Sequence, residues 1–462
     1  MYDFFDQTFD MPNHISTQEV SDSLSRPAQI GVSVAAFSAW FFGGMQILLT
    51  NLGMRAASLD LMGRQGMLDF AVFTDLNRRA GELVGSELAQ LNAWNAVASQ
   101  WYAWFQCAFL FGAAVGGYLF GKLGDRYGRT KMLGISILWF AGFTGLAWFA
   151  QSPHQLLFLR FLACLGIGGA WPNGVALVSE VWPNKFRPAL ASAIGMAGNL
   201  GIFAMSSMAA IHAVTPDSWR WVMLVNTVPA LIGLGVLLFL PESPAWKKQS
   251  SQQTGMQSES SPSVFKGEHL RCVFIGIGLA TIPLIGGWGS ANWMMPWADE
   301  IGSQIGKEDL KAHIGMARSL TSIVGSFFAG MLAVWMGRRR MYFFISLGAL
   351  VTAQYAFWMT VPGDFSFLVG VAFLGLFNGF YFGWLPFFLP ELFPTSIRST
   401  GIGVSFNFGR ILTALTIFAT GALMTAFEGD YARIGRITSL IFLFGMILVS
   451  FAPDTSRRNM MH

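Results

Sequence analysis

Charge is scarce in this sequence: 12% of its 462 residues are Asp, Glu, Lys or Arg, against 53% that are hydrophobic. Soluble domains carry about twice that charged fraction, so one compact soluble domain is excluded. Alternation is lacking as well. Trp139 to Ala150 and Val228 to Leu240 run almost unbroken in apolar residues, which excludes a membrane β-barrel, whose strands alternate apolar and polar positions. There are three cysteines, Cys107, Cys164 and Cys272, all inside or beside apolar stretches. They support neither a disulfide framework nor a zinc site and read as helix-packing residues. No G-x-x-x-x-G-K-[ST] loop is present, so ATP-driven transport has no support, and the six histidines lack H-x-x-x-H or H-E-x-x-H spacing. The Gly166-Ile-Gly168-Gly169 run lies within an apolar span and reads as close helix packing. Neither a cofactor, a metal nor an enzymatic reaction is expected. The first 28 residues carry five acids, one Arg and no basic n-region, so no cleaved signal peptide is expected either.

What the sequence holds instead is 43 Phe, 52 Gly and a mean hydropathy of +0.49. Twelve helices of about 20 residues would use roughly half of the chain. The expected fold is all-α and polytopic, with twelve transmembrane helices in two pseudo-symmetric six-helix bundles. Apolar runs place spans near 30–51, 98–120, 132–150, 155–178, 189–212 and 220–240, then near 270–292, 314–336, 341–361, 365–389, 400–424 and 436–452. The domain reading is an N-terminal tail over 1–29 and a first bundle over 30–244 with a long outside loop over 51–97. A Ser- and Gln-rich linker over 245–269, a second bundle over 270–453 and a tail over 454–462 follow. Leu83, Leu88 and Leu91 mark short amphipathic helical pieces in the outside loop, as a shield for a pathway or as helix caps.

The net charge of +4 would point to nucleic acid in a soluble protein; here it is a topology signal, and the expected surrounding is the lipid bilayer. Lys122, Arg126, Arg129, Lys131, Lys185, Arg187, Lys247, Lys248, Arg338, Arg339, Arg340 and Arg398 fall in alternate loops, which are read as cytoplasmic, with both termini on the same side. A plasma-membrane protein is expected.

The second half repeats the first. Glu180, Pro183 and Arg187 recur as Glu391, Pro394 and Arg398 at an offset of 211, Gly128-Arg129 recurs as Gly337-Arg338 at 209, and Pro241-Glu242-Ser243 as Pro453-Asp454-Thr455 at 212. Such repeats build transporters whose bundles flank a central site.

Gly121-Lys-Leu-Gly-Asp125-Arg126-Tyr-Gly128-Arg129-Thr-Lys131 closely matches the signature loop of the major facilitator superfamily, and the resemblance covers nearly the whole chain. Arg160 to Arg187 and Pro241-Glu-Ser-Pro244 resemble its sugar porters, while PELFPTSIRSTGIGVSFNFGR resembles its metabolite:proton and sialate:proton symporters. The resemblance implies a secondary carrier working by alternating access, with a small-molecule solute, proton or sodium as coupling ion, and no obligate protein partner.

Alternating access calls for breakable polar contacts at one face. Asp125, Arg126, Gly128 and Arg129, with the pairs Glu180–Arg187 and Glu391–Arg398, are the expected latch. Val334 stands where the repeat would put a second Asp125, so the latch should be asymmetric. Ionisable residues at bilayer depth are default candidates for a solute site. Arg410, roughly 15 Å into helix eleven, is the candidate for binding a carboxylate, with its repeat mate Asn199 and Gln46 offering neutral hydrogen bonds. Arg160 matches the helix-four arginine of sugar porters and is expected to support the outer gate. Their helix-one acid partner is missing, since Gly43 and Gln46 stand in its place. Asp299 and Glu300 are ordinary loop carboxylates in this reading. Trp288, Trp293, Trp297, Phe377, Phe380, Tyr381 and Trp384 form an aromatic group from which Trp288 or Trp384 would stack on the solute, and Asn378 among them is a further substrate-binding candidate. The solute is a small carboxylated one, with sialic acid or another sugar acid as first expectation; a neutral sugar and a non-transporting receptor remain the alternatives.

Overall fold

The computed structural model describes residues 24–79, 81–255, 263–307, 310–428 and 430–455. Eleven of its helical stretches are long and apolar enough to cross a bilayer, and a further helix of 29 residues, Arg398–Ala426, completes twelve. In chain order the helices are α1 (Arg26–Arg64), α2 (Phe70–Arg78), α3 (Gly85–Tyr127), α4 (Arg129–Leu146), α5 (Pro153–Val181), α6 (Arg187–Ile211), α7 (Trp221–Val225), α8 (Pro229–Phe239) and α9 (Pro244–Gly255). The second half adds α10 (Gly267–Gln304), α11 (Leu310–Met336), α12 (Arg338–Met359), α13 (Phe365–Phe388), α14 (Arg398–Ala426), α15 (Tyr431–Thr438) and α16 (Ile441–Val449). The sixth span is the broken pair α7–α8 and the twelfth the pair α15–α16. Pro229, which has no N–H to continue the ladder, opens α8. In the second half Gln354 of α12 donates to the Arg436 carbonyl and the Ser439 hydroxyl at 2.8 Å each, meeting polar groups at the break.

The bundles meet along two seams, α3 against α14 and α6 against α11. These are equivalent under the repeat. Small residues allow the backbones to touch: a Cβ on Gly403 would come within 2.2 Å of the Gly117 carbonyl oxygen, and one on Gly330 within 2.0 Å of the Pro188 carbonyl oxygen.

The segment 51–97, expected as a loop, is mostly helix. α1 and α3 have 39 and 43 residues, about 60 Å each and so twice the thickness of the hydrocarbon core. Their projecting ends enclose α2, whose first turn is capped by the Asp69 carboxylate. Leu83 and Leu91 are buried there with Leu59, Met62, Phe73 and Leu76, which supplies the apolar contact that a short helix needs. Leu88 remains exposed. Asp60 ties this cap to the broken sixth span through Arg220 at 2.7 Å and Trp219 Nε1 at 2.9 Å. The linker likewise begins as helix α9, anchored where Trp246 Nε1 donates to the Asp125 carbonyl at 2.8 Å.

Candidate functional site

Gly128 separates α3 from α4 with φ +113°, a conformation that glycine adopts without strain. This turn aims the first amides of α4 at Glu242, whose carboxylate accepts from the Arg129 and Thr130 N–H groups at 2.9 and 3.0 Å. A carboxylate at a helix N-terminus is favoured by the unpaired amides and the dipole. Arg129 is thereby fixed at the start of α4 with its side chain fully buried. Its guanidinium pairs with Asp125 at 3.1 Å and Glu180 at 3.3 Å, donates to the Gly124 carbonyl at 2.9 Å, and reaches the Thr395 carbonyl of the other bundle.

Two carboxylates from the first bundle cross the seam. Asp125 accepts from the Ser399 and Thr400 amides in the first turn of α14, at 3.0 and 2.9 Å, and from the Thr400 hydroxyl. Glu180 takes Arg398 Nη1 at 3.1 Å and the Ser243 hydroxyl at 2.6 Å. Asp125, Arg129, Glu180 and Arg398 thus form one network with two charges of each sign, and pairing is what makes such burial tolerable.

Three expected latch members behave otherwise. Arg187 does not pair with Glu180: its Nε donates to the Trp182 carbonyl at 2.9 Å and its Nη1 to Asn184, since Glu180 is already held by Arg129 and Arg398. Glu391 does not pair with Arg398, because it accepts Arg338 at 2.9 Å and the Thr455 hydroxyl inside its own bundle. Arg126 is exposed, 5.2 Å above the Tyr127 ring, and takes no part. The repeat is nonetheless visible in the bonds. Arg338–Glu391–Thr455 copies Arg129–Glu180–Ser243, while Val334 gives the second bundle no counterpart of Asp125. The crossing contacts are asymmetric for that reason.

Further along the two seams, Asn407 donates to the Gly168 carbonyl at 3.2 Å, Gly330 N–H to the Ser192 hydroxyl at 2.6 Å and Asn199 to the Ser326 hydroxyl at 3.2 Å. Among the described residues, these and the latch are the hydrogen bonds between bundles. Near Val178, Arg187 and Phe387 the space left is ≈ 10 Å³, about the minimum for one water. This end is sealed.

Arg410 is 12 residues into α14, about 18 Å along it. Its guanidinium lies 5.1 Å from the Phe109 ring of α3 and 5.3 Å from that of Phe406, within cation–π range. It is 3% exposed, and its Nη1 has no hydrogen-bond partner among the described residues. Phe406 is itself stacked by Trp171 at 4.0 Å and met edge-on by Trp40 at 6.1 Å. An arginine of one bundle is therefore pressed into an aromatic wall built largely by the other. Trp40, Phe109, Trp171 and Phe406 were not singled out from the sequence, where 15% aromatic content hides any four of them.

Asn199 is not gathered with Arg410. A pseudo-twofold axis puts repeat mates on opposite seams, and Asn199 sits at the α6–α11 seam with Ser326. Gln46 is fully buried, and each end of its amide is engaged inside the first bundle: Oε1 accepts Arg160 Nη1 at 2.8 Å and Nε2 donates to the Thr144 hydroxyl at 2.9 Å. Arg160 completes its contacts at Thr50, 3.0 Å away. Trp384 is fully buried among Tyr342 and Phe388 and donates to the Arg338 carbonyl, so its contacts lie within the second bundle. Asn378 has an unpartnered Oδ1 beside Gly287. The side chain of Trp288 lies outside the described residues, as does that of Asp299. Arg318 was missed although its signal, an arginine four residues inside an apolar span, is plain; it donates to the Gly287 carbonyl at 2.8 Å.

A family model described as the Major Facilitator Superfamily matches residues 29–415. The cis,cis-muconate transport protein of Acinetobacter baylyi is 28% identical over 353 residues, 75% of this chain and 83% of that protein. The probable 4-methylmuconolactone transporter of Cupriavidus pinatubonensis is 30% identical over 354 residues, 74% of this chain and 79% of that protein. Among solved structures, the proton:xylose symporter XylE bound to 6-bromo-6-deoxy-D-glucose superposes with a TM-score of 0.66 at 18% identity, covering 93% of this chain and 97% of that one.

Proposed function

Because the chain belongs to the major facilitator superfamily, an integral membrane family of small-molecule transporters, we propose that it carries a small carboxylated solute with an apolar body, by alternating access. Arg410 carries this reading: it is a buried guanidinium at mid-helix depth with an unpartnered Nη1 in an aromatic wall. A carboxylate oxygen on Nη1 would satisfy it, and Phe109, Phe406, Trp171 and Trp40 would enclose the rest of the solute.

The wall favours a planar, unsaturated or aromatic acid over sialic acid or a neutral sugar. Each hydroxyl of a polyhydroxylated solute needs a partner, and the nearby amide of Asn407 is already spent on the Gly168 and Gly403 carbonyls. The muconate and methylmuconolactone carriers among the relatives point the same way. Since α14 belongs to one bundle and Phe109 and Trp171 to the other, a solute there touches both rocking bodies. The latch end is the cytoplasmic one by the distribution of its lysines and arginines, so the bonds that bridge the two bundles lie on the cytoplasmic side.

Uptake of labelled cis,cis-muconate and of a labelled hexose into proteoliposomes tests this. Acid uptake that falls at least tenfold in Arg410→Gln, with an unchanged melting temperature, is expected. Hexose uptake alone, or muconate affinity unchanged in the variant, refutes it.

A further inference from the structure

A charge inventory along the spans, resting on Arg410 as the carboxylate site, bears on how transport is driven. The chain has 25 Asp and Glu; among the described residues none lies in the middle of a membrane span, Asp75 being in the short outer helix α2. Asp125 and Glu180 are in the last turns of α3 and α5, Glu391 follows α13, and each is bound to arginine or to the α14 amides. Asp60 is four residues from the end of α1 and bound to Arg64 and Arg220. Asp299 and Glu300 fall in the last two turns of α10. Histidines are confined likewise: His154, His269 and His313 lie in the first turns of their helices, His212 follows α6, and His14 and His462 are in the tails.

Cations are distributed differently. Arg160, Arg318 and Arg410 stand within spans, and the partners they have there are uncharged: Gln46 and Thr50 for Arg160, the Gly287 carbonyl for Arg318, and the rings of Phe109 and Phe406 for Arg410. Arg160 is held by the neutral Gln46 and Thr50, so no proton is exchanged there near neutral pH.

We infer that the protein is an obligatory anion exchanger, in which a bound carboxylate is required for the bundles to reorient in either direction and no proton accompanies it. A switch from one open side to the other passes through a closed arrangement such as this one, where Arg410 is desolvated. A desolvated guanidinium without a counter-ion is costly, and the solute carboxylate is the anion that removes the cost. The latch cannot lend one, because its two carboxylates already balance Arg129 and Arg398. Empty carrier therefore stays on the side where water reaches Arg410, and only loaded carrier returns.

The test uses the full chain in proteoliposomes, with labelled cis,cis-muconate outside and either unlabelled muconate or buffer inside, with and without an inward gradient of one pH unit. Binding of muconate to the detergent-solubilised protein is measured in parallel. Binding, with uptake at least tenfold faster into muconate-loaded than into empty vesicles and changed less than twofold by the gradient, is expected. Accumulation in empty vesicles driven by the gradient would show proton symport. Equal uptake into loaded and empty vesicles would show a uniporter; either result overturns exchange while the carboxylate site stands. Failure to bind muconate, 4-methylmuconolactone and gluconate alike removes the carboxylate site and exchange together.

Discussion

Replacing Asp125 by Asn should release the latch while leaving each bundle intact. Across the seam the carboxylate accepts two α14 amides at 3.0 and 2.9 Å and the Thr400 hydroxyl, and inside its bundle it pairs with Arg129 at 3.1 Å. Asparagine keeps one acceptor oxygen, loses the charge that favours the N-terminus of α14, and turns an N–H group toward an amide donor. Charge-assisted hydrogen bonds contribute ~1.5–3 kcal/mol each and a charge at a helix N-terminus ~0.3–1 kcal/mol, so a net loss of ~2–3 kcal/mol is expected. That loss shifts the ratio of sealed to opened latch by ~30- to 150-fold. Spin labels at Lys185→Cys and Arg340→Cys, exposed positions on opposite bundles at the latch end, read the distance distribution by pulsed double-resonance spectroscopy. The variant should gain a longer-distance population and exchange substrate more slowly. A distribution within threefold of the parent would refute the assignment of Asp125 as a seam contact.

Arg398→Gln should produce the same redistribution, since Arg398 reaches Glu180 across the seam, whereas Arg187→Gln should change the ratio less than threefold because its hydrogen bonds stay in its own bundle; the same labels decide. Gly128→Ala, at φ +113° with a Cβ 2.2 Å from a Glu242 carboxylate oxygen, should destabilise the detergent-solubilised protein by ~1–3 kcal/mol, while Gly142→Ala, where a Cβ meets nothing within 4 Å, should not lower the melting temperature. Gln46→Leu leaves Arg160 only Thr50 as a side-chain partner and should cost ~2–4 kcal/mol. Gln46→Glu places a carboxylate 2.8 Å from that guanidinium and should restore stability while making transport pH-dependent; a Leu variant that melts like the parent would count against the Arg160–Gln46 bond.

The twelve spans, the two-bundle repeat and the family were legible in the sequence because each depends on local chemistry: apolar runs long enough for a bilayer, and loop motifs recurring at offsets of 209 to 212. Individual positions whose chemistry is exceptional were legible too. An arginine in an apolar span, such as Arg410 or Arg160, stands out whatever surrounds it, and the absence of a helix-one acid is a property of the sequence itself. The extent of the outer cap was not legible, since Leu83, Leu88 and Leu91 mark a face without saying what covers it, and only the projecting ends of α1 and α3 do so.

Pairing was decided by the tertiary structure. Proximity in sequence favours Glu180–Arg187 and Glu391–Arg398, yet Arg129 and Arg398 converge on Glu180 while Arg338 and Thr455 take Glu391. Pro241-Glu242-Ser243 reads as a family marker; folded, it caps α4 and bonds the latch carboxylate. The repeat places Asn199 opposite Arg410 in register, but a twofold axis carries mates to different seams, so Arg410 meets Phe109 and Phe406 instead. Periodicity and composition act along one helix and fix what spans the membrane. Which charges neutralise one another, and which guanidinium is left without a carboxylate partner, depends on distances between helices far apart in the chain, which only their packing sets.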